Sequence, residues 1–290
     1  MKISILLPYK ENFSTQYAGA VSLLLKDTIN LSKFKSNIKV FGSTNYKNDI
    51  LIKNYINLNT DKFFFQSRSN VYVKNFIKHE NRNKSDLIEI HNRPNYINEI
   101  FKINKNLILY FHNDPLKIKG SQSIKDRINI LKKTKKIIFI SNWLKKRFFK
   151  GINNEKISNK HFEIIHHSTN KKKISLNKKK NLIVFVGRLN KSKGYDIFGK
   201  AIIKILNKYP DWKSIVIGDE PREKLDFHHK NLFNLGFQSH NKVLKVFNDS
   251  SIAVACSRWE EPFGRTSLEA ASRGCAVIIS NKGGLPETVT

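Results

Sequence analysis

Two cysteines, one methionine and only 23 acidic side chains occur in these 290 residues. The thiols Cys256 and Cys275 are too few for a disulfide framework and lack metal-ligand spacing, so they read as core thiols of a reducing compartment, each in a buried strand. No apolar run approaches the roughly 18 residues of a membrane span. The opening Met1-Lys2-Ile3-Ser4-Ile5-Leu6-Leu7-Pro8 is interrupted too soon for a secretory leader, and the expected location is the cytoplasm. No Asp-x-Asp pair is present to suggest a divalent metal. The scarcity of acid leaves 53 basic residues and a net charge of +30. Such an excess attracts nucleic acid, anionic lipid or phosphorylated small molecules without choosing among them. Part of it follows from a Lys-, Asn- and Ile-rich composition of the kind an AT-rich genome yields. Zinc-finger spacing, an RNA-recognition signature and a heptad with a basic arm are all missing, which places nucleic acid last.

The chain is long enough for two medium domains, each with its own core. Short apolar runs alternate with amphipathic segments, the pattern of parallel sheets with crossover helices. Strands are expected at 2–7, 38–41, 87–91, 107–111, 137–140 and 162–165, and helices at 18–31, at 95–103 after Pro94, and at 143–150. Residues 1–170 form the first doubly wound domain. The charge-rich stretch 171–180, bearing Lys171, Lys172, Lys173, Lys178, Lys179 and Lys180, reads as a linker. The second domain, 181–290, repeats the alternation with strands at 182–186, 214–217, 252–256 and 276–280 and helices at 195–208, 241–248 and 266–273.

The segment Trp259-Glu260-Glu261-Pro262-Phe263-Gly264-Arg265-Thr266-Ser267-Leu268-Glu269 sets two carboxylates eight positions apart across a turn that leaves the carboxyl end of a strand. Open α/β sheets bind ligands at such strand ends. Carboxylates there accept hydrogen bonds from vicinal hydroxyls, while the free N–H groups of the following helix attract an anion. Thr266-Ser267-Leu268-Glu269 also reads as a capping box, with Thr266 as the cap and Glu269 reaching back from the first turn. Neither Glu261-Pro262-Phe263-Gly264 nor Gly283-Gly284-Leu285-Pro286-Glu287 has a part in a cap. Another strand–loop–helix, Val186-Gly187-Arg188-Leu189-Asn190-Lys191-Ser192-Lys193-Gly194, places Arg188 and Lys193 at the same strand ends, where they could neutralise a diphosphate or simply form a solvated basic loop.

These elements together resemble the retaining glycosyltransferases of family 4, with their Glu-x7-Glu signature. The resemblance implies the α/β GT-B fold, two Rossmann-like doubly wound domains facing across a cleft, with a C-terminal end that looks truncated. It implies that the enzyme moves a sugar from a nucleotide-diphosphate donor to a glycan or lipid-linked acceptor, without metal or other cofactor, in bacterial surface polysaccharide or lipopolysaccharide assembly. The first domain would serve the acceptor and the second the nucleotide sugar. Arg188 and Lys193 would bind the donor diphosphate, Glu261 the sugar hydroxyls and Glu269 the ribose, with Phe263, Gly264, Arg265 and Thr266 completing the donor site. Gly19, where the family's Gly-Gly is Gly19-Ala20, would open a helix toward the diphosphate. His112, in Tyr110-Phe111-His112-Asn113-Asp114-Pro115, would lie beside the transferred sugar and join Glu261 as a catalytic residue. His91, in Glu89-Ile90-His91-Asn92-Arg93-Pro94, has the same geometry one strand earlier. His166 and His167 are expected to pack between the domains or line the cleft.

An anionic membrane surface is a further expected partner, with peripheral attachment at the inner face of the cell membrane. Two segments mix aromatic and basic residues in the required way: Lys62-Phe63-Phe64-Phe65-Gln66-Ser67-Arg68 and Trp143-Leu144-Lys145-Lys146-Arg147-Phe148-Phe149-Lys150. In the second, Leu144 and Phe148 share a helix face and could equally belong to the core. The alternatives to a transferase are a nucleotide-sugar epimerase or phosphorylase on the same scaffold and a non-catalytic sugar-nucleotide binder.

Overall fold

Apolar runs of four to seven residues separated by polar crossovers form parallel strands, because only helices on both faces can cover sheets this apolar. A computed structural model describes residues 1–46, 48–61, 67–153, 158–170 and 173–289. It contains two compact units, Met1–His166 and His167–Thr290.

In the first unit the elements run β1 (Ile3–Leu6), α1 (Ala20–Leu31), β2 (Ile38–Gly42), β3 (Tyr55–Asn57), α2 (Arg68–Arg82), β4 (Leu87–His91), α3 (Ile97–Ile100), β5 (Leu107–Phe111), α4 (Ile124–Lys133), β6 (Lys136–Phe139), α5 (Asn142–Phe149) and β7 (Phe162–Ile164). Their seven strands form one parallel sheet in the order β3-β2-β1-β4-β5-β6-β7. The order reverses between β1 and β4.

Three of these elements have no counterpart in the expected pattern. Helix α2 buries Val71, Tyr72, Val73 and Phe76, but the same face carries Glu80, which is only 2% exposed. That carboxylate accepts from Ser4 Oγ at 2.5 Å and from Ser85 N and Oγ at 3.1 and 2.7 Å. A satisfied buried charge hides the helical period from a hydropathy reading. Helix α4 leaves Ile124 and Ile128 exposed and buries Arg127 and Ile130; its start is fixed by a capping box between Ser123 and Asp126. Strand β3 is a three-residue edge.

Helix α5 settles the reading of the segment 143–150. Leu144, Phe148 and Phe149 are buried, and Phe148 packs on Phe111 and Phe139 with ring centroids 5.6 and 5.4 Å apart. Arg147 forks onto Asp114, Nε to Oδ1 at 3.1 Å and Nη2 to Oδ2 at 2.8 Å. Phe148 and Phe149 therefore belong to the core, whereas Trp143 is half-buried. Residues 62–66, the heart of the other aromatic-basic segment, lie outside the described residues. Among the described residues no helix is long and apolar enough to cross a membrane.

The second unit contains β8 (Lys180–Val186), α6 (Tyr195–Lys208), β9 (Lys213–Ile217), β10 (Leu232–Asn234), α7 (His240–Asp249), β11 (Ser250–Ala255), α8 (Arg265–Ser272) and β12 (Ala276–Ile279). Its parallel sheet has the order β10-β9-β8-β11-β12, reversing between β8 and β11. Edge strand β10 was not expected. Both cysteines fall one residue outside the strands assigned to them, Cys256 just after β11 and Cys275 just before β12, and both are free thiols.

Lys179, in the stretch read as linker, is bound rather than solvated. Its ammonium donates to the carbonyls of Phe247 (2.8 Å), Ser250 (2.8 Å) and Arg273 (2.6 Å), at the carboxyl ends of α7 and α8, where the helix dipoles favour a cation. Burial lowers the pKa of this lysine.

Candidate functional site

The reversal between β8 and β11 opens a crevice at the carboxyl ends of two neighbouring strands, the place where doubly wound sheets take ligands. Two loops lead from it. After β8, Asn190 accepts through Oδ1 from Lys193 N (3.0 Å) and Ser192 Oγ (2.8 Å), winding a turn that delivers Lys193 to the crevice. Gly194 then enters α6 with φ of +75°, and a Cβ there would lie 2.0 Å from the Cys256 carbonyl oxygen. After β11, the second loop is tied to the first: Arg258 N and Trp259 N both donate to Ser192 O, at 2.9 and 3.1 Å.

This tie brings Lys193 onto Glu261. The ammonium pairs with Glu261 Oε1, the oxygen that also accepts from Ser257 Oγ at 2.8 Å. Glu261 is 9% exposed, so its charge is held mainly by these two partners. The stretch Gly283-Gly284-Leu285-Pro286-Glu287 acts on Glu261 through the backbone. Gly284 N donates to Glu261 O at 2.7 Å, and Gly283, with φ of +64°, lies where a Cβ would stand 2.1 Å from that same oxygen. Arg188, in the loop after β8, is exposed, and among the described residues its side chain makes no hydrogen bond or ion pair.

Helix α8 begins differently from the expected capping box. Gly264 is the N-cap, no side chain caps it, and Arg265 rather than Thr266 is the first helical residue. Glu269 thus lies in the second turn, too far along to reach the cap. It accepts instead from Arg265 Nε at 2.7 Å and His240 Nε2 at 2.9 Å, with Arg265 and Glu269 buried and His240 half-buried. Burial pushes the Glu269 carboxyl up, but the His240 hydrogen bond and the Arg265 charge outweigh it and the net shift is downward. His240, the first residue of α7, carries no spacing signal that links it to Glu269 in sequence; the parallel packing of α7 and α8 makes the pair. Phe263 is buried against His167, ring centroids 5.6 Å apart, and Thr266 is half-buried.

The pairing sets a pH dependence. A depressed carboxyl stabilises the fold above its unfolded value near 4.5, and the contribution is lost as pH falls through the lower folded value. We expect Glu269→Gln to lose about 1–3 kcal/mol at pH 7, with the gap to wild type closing in acid. Thr266→Ala, which removes no cap, should stay within about 0.5 kcal/mol. Urea midpoints of both variants at neutral and acidic pH measure this; a larger loss for Thr266→Ala than for Glu269→Gln would restore the capping box.

In the first unit, Gly19 is the N-cap of α1, as its position after the first strand suggests. A residue not picked out from the sequence stands against it. A Cβ on Gly19 would lie 2.5 Å from Glu11 Oε1, and Glu11 accepts from Ser22 Oγ at 2.9 Å. A carboxylate thus already occupies the helix start that was read as an anion site. Burial raises the Glu11 carboxyl, opposed by Ser22 and by the charges of His91 and Arg93. His112 follows β5 and is 4% exposed, with its Nε2 2.8 Å from His91 Nδ1. Among the described residues no group of three or more His, Cys, Asp or Glu side chains is placed to hold a metal ion.

Comparison with known proteins relates the second unit by sequence and the whole chain by fold. Residues 167–290, the second unit, match the family model "Glycosyl transferases group 1". Spore coat protein SA of Bacillus subtilis (strain 168) is 32% identical over 123 residues, 38% of this chain and 33% of that protein. The lipopolysaccharide core biosynthesis mannosyltransferase LpsB of Rhizobium meliloti (strain 1021) is 30% identical over 130 residues, 41% of this chain and 37% of that one. The matched stretch thus spans about a third of the length of these relatives. Over the whole chain the fold matches Anabaena Alr3699/HepE, solved in complex with UDP-glucose, with a TM-score of 0.72 at 15% identity, covering 100% of this chain and 83% of that one. Two Rossmann-like units, a fold likeness over the full chain and a sequence relationship over the second unit together make this a chain of GT-B-type architecture related to the glycosyl transferases of group 1.

Proposed function

We propose that the protein is a retaining glycosyltransferase that moves a sugar from a nucleotide-diphosphate donor to a glycan or lipid-linked acceptor, in bacterial surface polysaccharide or lipopolysaccharide assembly at the cytoplasmic side of the membrane. The observation that carries it is the Lys193–Glu261–Ser257 cluster at the reversal of strand order between β8 and β11. A cation and a carboxylate held side by side suit a ligand with phosphate at one end and hydroxyls at the other. The lipopolysaccharide mannosyltransferase relative and the UDP-glucose complex of a similar fold point to the same ligand class.

In this reading the second unit binds the donor and the first serves the acceptor. Arg188 and Lys193 neutralise the diphosphate as negative charge grows on it, Glu261 orients the sugar hydroxyls and Glu269 the ribose, with Phe263, Gly264, Arg265 and Thr266 around them. In this reading His112 also serves the donor, whereas the α1 start at Gly19 does not, since the Glu11 carboxylate stands there. The acceptor hydroxyl passes its proton to the departing phosphate on the same face, so leaving-group stabilisation and positioning supply most of the acceleration.

A panel of UDP-, GDP- and ADP-linked sugars tests this by thermal shift, since a ligand present at about 100 times its Kd adds about 2.7 kcal/mol to folded-state stability. One donor should raise Tm and be turned over, and turnover should persist in excess EDTA because the charge is neutralised by side chains. A shift without turnover on any acceptor would leave a non-catalytic binder. Loss of turnover in EDTA, restored by Mg²⁺ or Mn²⁺, would overturn the metal-free mechanism.

A further inference from the structure

Glu89 and His91 are two positions apart on β4, so the alternation of a strand puts both side chains on one face of the sheet. There they form a continuous hydrogen-bonded chain with His112. His91 Nε2 lies 2.5 Å from Glu89 Oε1, and His91 Nδ1 lies 2.8 Å from His112 Nε2. His91 is fully buried, and the side chain of Glu89 is 19% exposed. The ring of Tyr110 lies nearly parallel to both imidazoles, at 17° to His91 and 9° to His112. Asn92, with φ of +56°, turns its Oδ1 back to accept the backbone N–H groups of His112 (3.3 Å) and Asn113 (3.1 Å). The backbone and the ring of His112 are therefore both anchored on the end of β4. Glu11, in the loop after β1, interacts through its charge with His91 and with Arg93.

The order of donors in this chain follows from chemistry. An ionised carboxylate has no proton to give, so the hydrogen between Glu89 and His91 is on His91 Nε2. With that one hydrogen on its ring, His91 presents a lone pair at Nδ1, and the hydrogen of the second bond is on His112 Nε2. We propose that Glu89 and His91 are a positioning relay that fixes His112 as its Nε2–H tautomer, with the lone pair on Nδ1. This rests on the reading above that His112 faces the transferred sugar. If His112 takes up a proton at Nδ1, its Nε2–H stays in place, no ring turns, and the positive charge is stabilised through His91 by the Glu89 carboxylate.

Long-range 1H–15N spectra of the intact chain labelled with 15N-histidine distinguish protonated from bare ring nitrogens. His91 and His112 should both show a protonated Nε2 and a bare Nδ1. Glu89→Ala should release both rings into mixed tautomers and lower kcat at least about tenfold, with donor KM changed less than about twofold. Glu89→Gln should restore the single tautomer, because its carbonyl oxygen still accepts from His91. A wild-type His112 protonated at Nδ1, or tautomers indifferent to Glu89→Ala, would overturn the relay; if Glu89→Ala does not fold, the wild-type spectrum decides. The expected tautomers in a protein that turns over no sugar nucleotide support the relay and sink the transferase reading, whereas transfer with tautomers that ignore Glu89 does the reverse.

Discussion

Removing either cation from the loop after β8 should cripple transfer. For Lys193→Ala and Arg188→Ala we expect turnover of the donor to fall about 10²- to 10³-fold, the loss of about 2.7–4 kcal/mol typical for a group aimed at charge that develops in the transition state. The two variants should differ in stability. Lys193 is the ion-pair partner of Glu261, and its removal leaves a 9%-exposed carboxylate with Ser257 as its remaining side-chain donor. Lys193→Ala should therefore also melt earlier. Arg188 is exposed and has no side-chain partner among the described residues, so Arg188→Ala should melt like the wild type. That separation makes Arg188 the cleaner test. Near-native turnover in both variants would remove the diphosphate from the crevice, and a lowered Tm without lost turnover in Lys193→Ala would reduce the lysine to a structural counter-ion.

The second large effect is expected at Gly194, and it concerns the fold. With φ of +75° an alanine there adopts a left-handed conformation at a cost of about 1–2 kcal/mol. Its Cβ would also stand 2.0 Å from the Cys256 carbonyl oxygen, a backbone atom that no side-chain rotation can move. The loops after β8 and β11 must then part, taking with them the bonds from Arg258 and Trp259 to Ser192. We expect Gly194→Ala to destabilise the protein by at least about 3 kcal/mol, lowering Tm by roughly 6–12 °C, and to abolish donor binding even where the chain remains folded. Gly236→Ala is the control, since φ is again positive, +62°, but nothing lies within 4 Å of the added carbon. Similar losses at the two positions would mean that backbone conformation alone, and not the close approach of the two loops, sets the cost.

Much of this arrangement was legible in the sequence, and the reasons for the exceptions are local. Fully apolar strands such as Leu182-Ile183-Val184-Phe185 declare themselves by composition, as does the glycine pair that turns beneath Glu261. Helix α2 does not, because Glu80 occupies its buried face and is satisfied by serines distant in sequence or beyond the helix end. The Thr266-x-x-Glu269 capping box failed because the cap lies two residues earlier, at Gly264, and His240 and Arg265 gave the carboxylate stronger partners. His240 and Glu11 could not have been selected from spacing, since each acquires its role from a segment folded beside it; Glu89 stands two positions from His91 on one strand, and only the pairing of β4 with β5 adds His112. Lys179 lay within a run of lysines that looked solvated; only the convergence of two helix ends distinguishes it from its neighbours.

That strand order has a consequence for how the chain is made. In the second unit β8 pairs with β9 on one edge and with β11 on the other, yet Ile183 meets Ile252 only about seventy residues later in the chain. During synthesis at about 5–20 residues per second, the far edge of β8 stays open for several seconds with Val184 and Phe185 ready to pair with any other strand. The crevice is bounded by this late-closing seam, so the proposed binding site also belongs to the late-assembling part of the unit. A nascent chain is then most open to misassociation at the place where the finished protein presents Lys193 and Glu261.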